Sequence, residues 1–167
     1  MKSLRFQDRF DYQKHLDEKD SCFAGIFFIF ITVNTFLNMA SIFTKIINGE
    51  IPCYKVAETD DFFAFLDINP NAKGHTLCIP KKEVDKIFDL DEETYNGLMQ
   101  FSRRVALAMR EVIPCERIGM SVIGLEVPHV HVHLIPLKTM KDAQFTSKVK
   151  LSPEEFQEIA DKIANRF

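Results

Sequence analysis

The stretch His129-Val130-His131-Val132-His133-Leu134-Ile135-Pro136 holds three of the five histidines of the chain, in strict alternation with apolar residues. Successive side chains of a β-strand point to opposite faces, so the three imidazoles share one face while the valines point into a core. Imidazole serves as a nucleophile, a proton carrier or a metal ligand near neutral pH. The pattern therefore predicts a catalytic face on this strand.

Two other interpretations of these histidines remain open. They could be polar side chains on the exposed face of a half-solvated strand. They could also bind zinc, which accepts three histidines and keeps a fourth position for water, although no H-E-x-x-H, C-x-x-C or carboxylate pair lies nearby in the sequence. His75 follows Gly74 at the start of another predicted strand and is a candidate fourth member of the cluster.

The composition indicates one domain in a reducing compartment. A chain of 167 residues favours a single domain, and a net charge of −3 argues against a general nucleic-acid surface. The four cysteines have no framework spacing, which predicts free thiols and a cytoplasmic protein. The 16 phenylalanines predict a core or pocket rich in aromatic side chains.

The first 38 residues differ in composition from the rest of the chain. Residues 1–20 are highly charged, whereas residues 22–37 carry no charge. A signal peptide needs a short basic start, and a membrane span needs about 20 mostly apolar residues, so neither pattern fits well. We predict that residues 1–38 are an extension outside the functional domain, which spans 39–167, and that a membrane anchor is the less favoured alternative.

Periodicity and turn residues predict the elements of residues 39–167. Helices are expected over 42–48, from a capping box at 89–92 to Val112, and from Ser152 onward. Strands are expected over 54–57, 62–66, 75–79, 120–123 and 130–135. This order predicts an α+β fold in which helices pack against an antiparallel sheet.

Asp67 ends the apolar strand predicted over 62–66. An aspartate at a strand end is usually a turn former, and the functional alternative is a carboxylate that binds ribose hydroxyls. Neither G-x-x-x-x-G-K-[ST] nor G-x-G-x-x-G occurs, so the common phosphate-binding loops are missing from the sequence.

The motifs together resemble the histidine triad (HIT) family, whose signature His-φ-His-φ-His-φ-φ, with φ apolar, is matched by residues 129–135. The resemblance extends over 42–136 and includes the segments 63–70 and 74–81. It is closest to the Hint-like branch of nucleotide hydrolases. That resemblance implies a HIT-like fold, a homodimer, a purine nucleotide substrate and no cofactor.

The resemblance also implies a role for each site residue. His131 would attack the α-phosphate to form a nucleotidyl-histidine, with its other nitrogen bonded to the carbonyl of His129. His133 and His75 would stabilise the phosphate oxygens, and Asp67 would hold the ribose. The base would be enclosed by Phe43, Ile46, Phe65 and Ile68.

Two departures from the family pattern affect these expectations. Many relatives have a zinc site built from two cysteines, a histidine and the first triad histidine, and the first three of these positions are Ser41, Thr44 and Glu83 here; because all three are changed together, we predict no metal. The loop before the triad, residues 124–128, lacks the polar contacts that relatives make to the leaving group. Glu126 in this loop would repel a phosphate if it pointed inward.

The resulting prediction is a hydrolase of nucleoside phosphoramidates or dinucleoside polyphosphates that releases a nucleoside monophosphate. The alternatives are a non-catalytic nucleotide-binding or regulatory module and a nucleotidyltransferase. The sequence does not distinguish between the leaving groups.

Overall fold

In the computed structural model, which describes residues 40–146 and 148–167, five strands form one antiparallel sheet and three α-helices accompany it. The strands occur in the order β1-β2-β3-β5-β4 across the sheet. This arrangement confirms the predicted α+β class. In chain order the elements are α1 (Ile42–Ile47), β1 (Lys55–Glu58), β2 (Phe62–Leu66), β3 (Thr76–Pro80), α2 (Glu92–Val112), β4 (Arg117–Ser121), β5 (Val132–Leu137) and α3 (Pro153–Ala164).

Alternation along the strands gives the sheet two different faces. Ala64 and Leu66 of β2 point into the main core, which also contains the apolar sides of α2 and α3. Phe63 and Phe65 point the other way, into a second apolar cluster that includes Phe43 of α1. The long helices therefore cover one face, and α1 packs against part of the other.

The pairing of β3 with β5 brings two distant histidines together. Leu77 lies opposite His133 in the antiparallel register. His75 precedes Leu77 by two residues, so it is the diagonal neighbour of His133 on the same face. Their ring centroids are 5.2 Å apart, and residues 58 positions apart in the sequence thus become neighbours.

The triad strand begins later than predicted, at Val132 instead of residue 130. His129 lies in a bend, where its N–H donates to the carbonyl of Val127 at 2.8 Å. The alternation nevertheless persists, because Val130 and Val132 both enter the main core. The three histidines therefore leave the chain on the face opposite α2 and α3.

Several further boundaries differ from the predictions by one to three residues, and two of them have a clear local cause. Asp91, not Asp89, caps α2, because its Oδ1 accepts a hydrogen bond from the Thr94 N–H at 2.8 Å. The strand expected over 120–123 is β4, Arg117–Ser121, since its pairing with β5 ends at Ser121. The chain then turns away through Gly124, whose φ of 68° is in the region that favours glycine.

The predictions about residues 1–38 lie outside the described residues. Within the part that is described, Ala40–Phe167 forms one compact unit. No helix of this part combines the length and the apolar composition that crossing a bilayer requires.

Candidate active site

A cleft of about 310 Å³ lies beside the second and third histidines of the triad. His131 and His133 line it, although their side chains are only 7% and 8% exposed. Such burial excludes the interpretation of these two residues as polar side chains on the exposed face of a half-solvated strand. The other lining residues are Asp67, Asn69, Ile123, Gly124, Leu125, Glu126, Phe145 and Lys148.

His131 has a defined tautomer. Its Nδ1 lies 2.6 Å from the carbonyl oxygen of His129. A carbonyl can only accept a hydrogen bond, so Nδ1 carries the proton and Nε2 is left with its lone pair. Nε2 makes no hydrogen bond with the residues that the structure describes, and the ring borders the cleft. In the neutral ring, this arrangement presents the Nε2 lone pair, which is the geometry that nucleophilic attack requires.

His129 is fully buried and does not line the cleft. Its Nε2–H donates to the carbonyl of Pro80 at 2.8 Å, and its Nδ1 accepts from the hydroxyl of Ser41 at 2.8 Å. Burial lowers the pKa of this imidazole. Both ring nitrogens are thus engaged, and His129 reaches the site only through the carbonyl that it offers to His131.

The residues at the position of the relatives' zinc site do converge in this fold. The Ser41 N–H donates to the Glu83 carboxylate at 3.0 Å, and the Thr44 hydroxyl donates to the same oxygen. Zinc prefers thiolates, imidazoles and carboxylates, whereas this set contains two hydroxyls, one carboxylate that already accepts two hydrogen bonds and an imidazole with both nitrogens hydrogen-bonded. The donor set does not fit zinc, and a hydrogen-bonded network instead holds α1 against His129.

His133 is backed by a directional chain of hydrogen bonds. The backbone N–H of Asn71 donates to Nδ1 of His75 at 3.1 Å, which leaves the proton of His75 on Nε2. That Nε2–H donates to Nδ1 of His133 at 3.0 Å. His133 is then protonated on Nε2, so it offers a hydrogen-bond donor to the cleft.

Burial keeps both members of this histidine pair neutral. It lowers the pKa of His75 to about 3 and that of His133 to about 4. His75 is completely buried behind His133 and does not border the cleft. Both ring nitrogens of His75 are already hydrogen-bonded to protein groups, so the expected stabilisation of phosphate oxygens by His75 stays a prediction that would have to operate through His133.

One group of potential metal ligands occurs in the described part of the chain: Asp67, His75 and His133, with ligand atoms within 4.8 Å of one another. The Asp67 carboxylate lies 3.5 Å from Nδ1 of His75. That nitrogen already accepts the Asn71 N–H, and the other nitrogen of His75 donates to His133. The existing hydrogen bonds therefore use the lone pairs that a metal would need.

The residues expected to bind the nucleoside divide into two groups. Phe43 packs against both Phe65 and His131, with ring centroids 5.5 Å and 5.1 Å apart, and Ile46 packs against the same cluster. These three apolar residues do not border the cleft described above. Ile68 is separate from them, because its side chain is 75% exposed.

Asp67 borders the cleft together with His131 and His133. Its Oδ1 accepts the backbone N–H of Asn69 at 2.8 Å, as in an ordinary turn, and burial raises the pKa of the carboxyl. Asp67 thus closes a turn, and its place on the cleft wall leaves the ribose-binding role a prediction.

Sequence reasoning missed Phe145 and Lys148. Phe145 packs edge-on against His133, with ring centroids 5.0 Å apart. The ammonium group of Lys148 donates a hydrogen bond to the side-chain oxygen of Asn71. Neither residue lies in a recognisable motif. Their placement depends on how the chain returns across the site between β5 and α3, which no local pattern encodes. Glu126, whose direction the sequence left open, borders the cleft as an exposed side chain.

Comparison with known proteins gives consistent matches. The model of the HIT domain matches residues 48–140. The adenosine 5'-monophosphoramidase of Saccharomyces cerevisiae is 42% identical over 106 residues, 63% of this chain and 67% of the relative. The adenosine 5'-monophosphoramidase of Schizosaccharomyces pombe is 34% identical over 131 residues, 77% of this chain and 98% of the relative.

Solved structures agree with the sequence matches. A Hit-like protein of Bartonella henselae superposes with a TM-score of 0.70 at 32% identity, covering 78% of this chain and 98% of the other. A histidine triad protein of Mycobacterium smegmatis, which is zinc-bound, superposes with a TM-score of 0.66 at 26% identity, covering 77% and 93%.

Proposed function

This chain belongs to the histidine triad (HIT) family, and on that premise we propose that it hydrolyses nucleotides at the α-phosphate through a nucleotidyl-His131 intermediate. The substrates are nucleoside phosphoramidates or dinucleoside polyphosphates, and a nucleoside monophosphate is released. One observation carries the proposal: the His129 carbonyl holds a proton of His131 on Nδ1, which leaves Nε2 as the unbonded nitrogen of a ring that borders the cleft.

The reaction has two displacements at phosphorus. In the first, the Nε2 lone pair of His131 forms a bond to the α-phosphorus, and the bond from phosphorus to the leaving amine or phosphate breaks. In the second, water forms a bond to phosphorus and gives up a proton to solvent, the P–Nε2 bond breaks, and its electron pair returns to Nε2. An amine leaving group takes up one proton from solvent as it departs in the first step, so no net proton is gained or lost. The His129 carbonyl stabilises the positive charge that the ring acquires in between.

His133 stabilises the phosphoryl oxygens during both steps. Its Nε2–H is fixed as a donor by His75, and the donor of His75 is in turn fixed by the Asn71 N–H. A donor that is already oriented needs no reorganisation as charge develops on the oxygens. We assign His75 to positioning, since both of its ring nitrogens are hydrogen-bonded to protein groups and it does not border the cleft.

The nucleoside half of the substrate is assigned by position. Asp67 accepts the ribose hydroxyls from its place on the cleft wall. We assign the purine base to the apolar surface of Ile68, which is exposed, and to the cluster of Phe43, Ile46 and Phe65, in which Ile46 is the partly exposed member. The monophosphoramidase names of the two yeast relatives support an adenine nucleotide as substrate.

The test of the proposal is the intact mass of the protein, measured within milliseconds of mixing with an adenosine phosphoramidate. A transient increase of one adenylyl group is expected, and it should persist in excess chelator because no metal takes part. A protein that binds the nucleotide but never gains mass would be a binding module. A reaction that stops in chelator would indicate a tri-histidine metalloenzyme.

We also propose that the protein is a cytoplasmic homodimer. The edge strand β4 and the residues after it leave apolar side chains exposed, among them Met120 and Ile123 at 50% and 47%, and unpaired edge strands are ready to pair with a second copy. Cys53, Cys78 and Cys115 are free thiols, as expected in a reducing compartment. Sedimentation equilibrium at micromolar concentration should give twice the monomer mass, and a monomer would contradict the dimer.

A further inference from the structure

The cleft beside the triad has an unusual distribution of charge for a site that handles phosphate. Two carboxylates, Asp67 and Glu126, border it. His133 contributes no positive charge, because burial lowers its pKa to about 4 and the imidazole is neutral at pH 7. Among the residues that the structure describes, Lys148 is the one lysine or arginine on the cleft wall.

Lys148 is held at a defined place on the wall. Its Nζ donates to Oδ1 of Asn71 at 2.8 Å, and the N–H of Val149 donates to the carbonyl of Pro70 at 2.9 Å. Asn71 is the same residue whose backbone N–H fixes His75. The ammonium group is thus attached to the hydrogen-bond chain that orients His133.

The ammonium group of Lys148 has N–H donors that Asn71 does not use. It carries three N–H donors, and Asn71 accepts one of them. Its charge also reaches the triad, since Lys148 contributes to lowering the pKa of both His75 and His133. A phosphoryl group between His131 and His133 would lie on the side of the cleft that this charge already influences.

We propose that Lys148 is a phosphate-contacting residue, whose ammonium donates to the non-bridging oxygens of the α-phosphoryl group and neutralises their charge. The inference rests on the proposed function, and it deepens it by assigning the cation of the site. In this arrangement His131 supplies the nucleophile, His133 supplies a hydrogen-bond donor, and Lys148 supplies the positive charge. It also offsets the repulsion that Glu126 exerts on an anionic substrate.

The experiment compares the affinities of AMP and adenosine by calorimetry, because the two ligands differ only in the phosphate. For Lys148→Met the affinity for AMP is expected to fall about 10- to 100-fold, as for the loss of a hydrogen bond to a charged group. The affinity for adenosine should be unchanged. Lys148→Arg should recover most of the loss, and kcat/KM for an adenosine phosphoramidate should follow the affinity for AMP.

The matched control is Lys150→Met, which removes an exposed lysine two residues away that does not border the cleft. It should leave both affinities unchanged. Equal losses of AMP and adenosine affinity in Lys148→Met would mean that Lys148 only pins the chain to Asn71, and would overturn the inference. Affinities for AMP and adenosine that both equal those of the wild type would overturn the inference as well, and would leave the proposed function standing. A wild-type protein that binds neither ligand would overturn both.

Discussion

Replacement of His131 by asparagine is expected to lower kcat for an adenosine phosphoramidate by about 10⁴-fold or more, as for the loss of other covalent nucleophiles. The amide of asparagine can still donate to the His129 carbonyl, so the local hydrogen bond survives. It offers no lone pair with the nucleophilicity of imidazole Nε2. The affinity for AMP should remain within a few fold, because the ribose and the phosphoryl oxygens have other partners.

Three measurements on the His131→Asn variant separate chemistry from folding. Steady-state turnover should be lost, the transient gain of an adenylyl group should be lost with it, and calorimetry should show that AMP still binds. The conservative comparison is His133→Asn, which keeps an acceptor for the Nε2–H of His75 and should still form a slow adduct. Turnover by His131→Asn at the wild-type rate would exclude His131 as the nucleophile.

The second large effect is on stability in mild acid. The free energy of unfolding is expected to fall by about 3 kcal/mol between pH 6.5 and pH 5, through His75 and His133. Their pKa values are about 3 and 4 in the folded protein, against 6.5 for the exposed side chain. In this interval the unfolded chain binds protons that the folded protein cannot, so stability rises with pH and is lost on acidification.

Urea denaturation at pH 7, 6.5, 6, 5.5 and 5 measures this effect. The carboxylates with lowered pKa values, such as Glu83, titrate further into the acid and contribute little in this window. His133→Asn removes one member of the pair and should remove about half of the pair's contribution to the pH dependence, whatever it does to the stability at pH 7; His129, whose pKa burial also lowers, adds to the same trend in both proteins. A free energy of unfolding that stays constant from pH 7 to pH 5 would contradict the neutral, buried pair.

Local patterns predicted most of the secondary structure, since the energies that decide it act over a few residues. The strand over 62–66 and the α3 start at Ser152 were predicted correctly, the latter because Ser152 and Glu155 form a reciprocal cap. The prediction for β4 was wrong by three residues at its start. Its limits are set by pairing with β5, and the apolar residues that follow β4 are equally compatible with a strand.

The sequence alone determined which histidines share a face and which residue types supply the chemistry, because a period of two allows one arrangement of alternating side chains. Only the tertiary structure decided how those imidazoles work. The His129 carbonyl determines that Nδ1 of His131 carries a proton, and His133 is neutral because it is buried against His75. The positive charge on the cleft wall comes from Lys148, which the chain places there after β5. Tautomer, pKa and local charge depend on contacts between residues far apart in the chain, and such contacts exist only once the strands have paired.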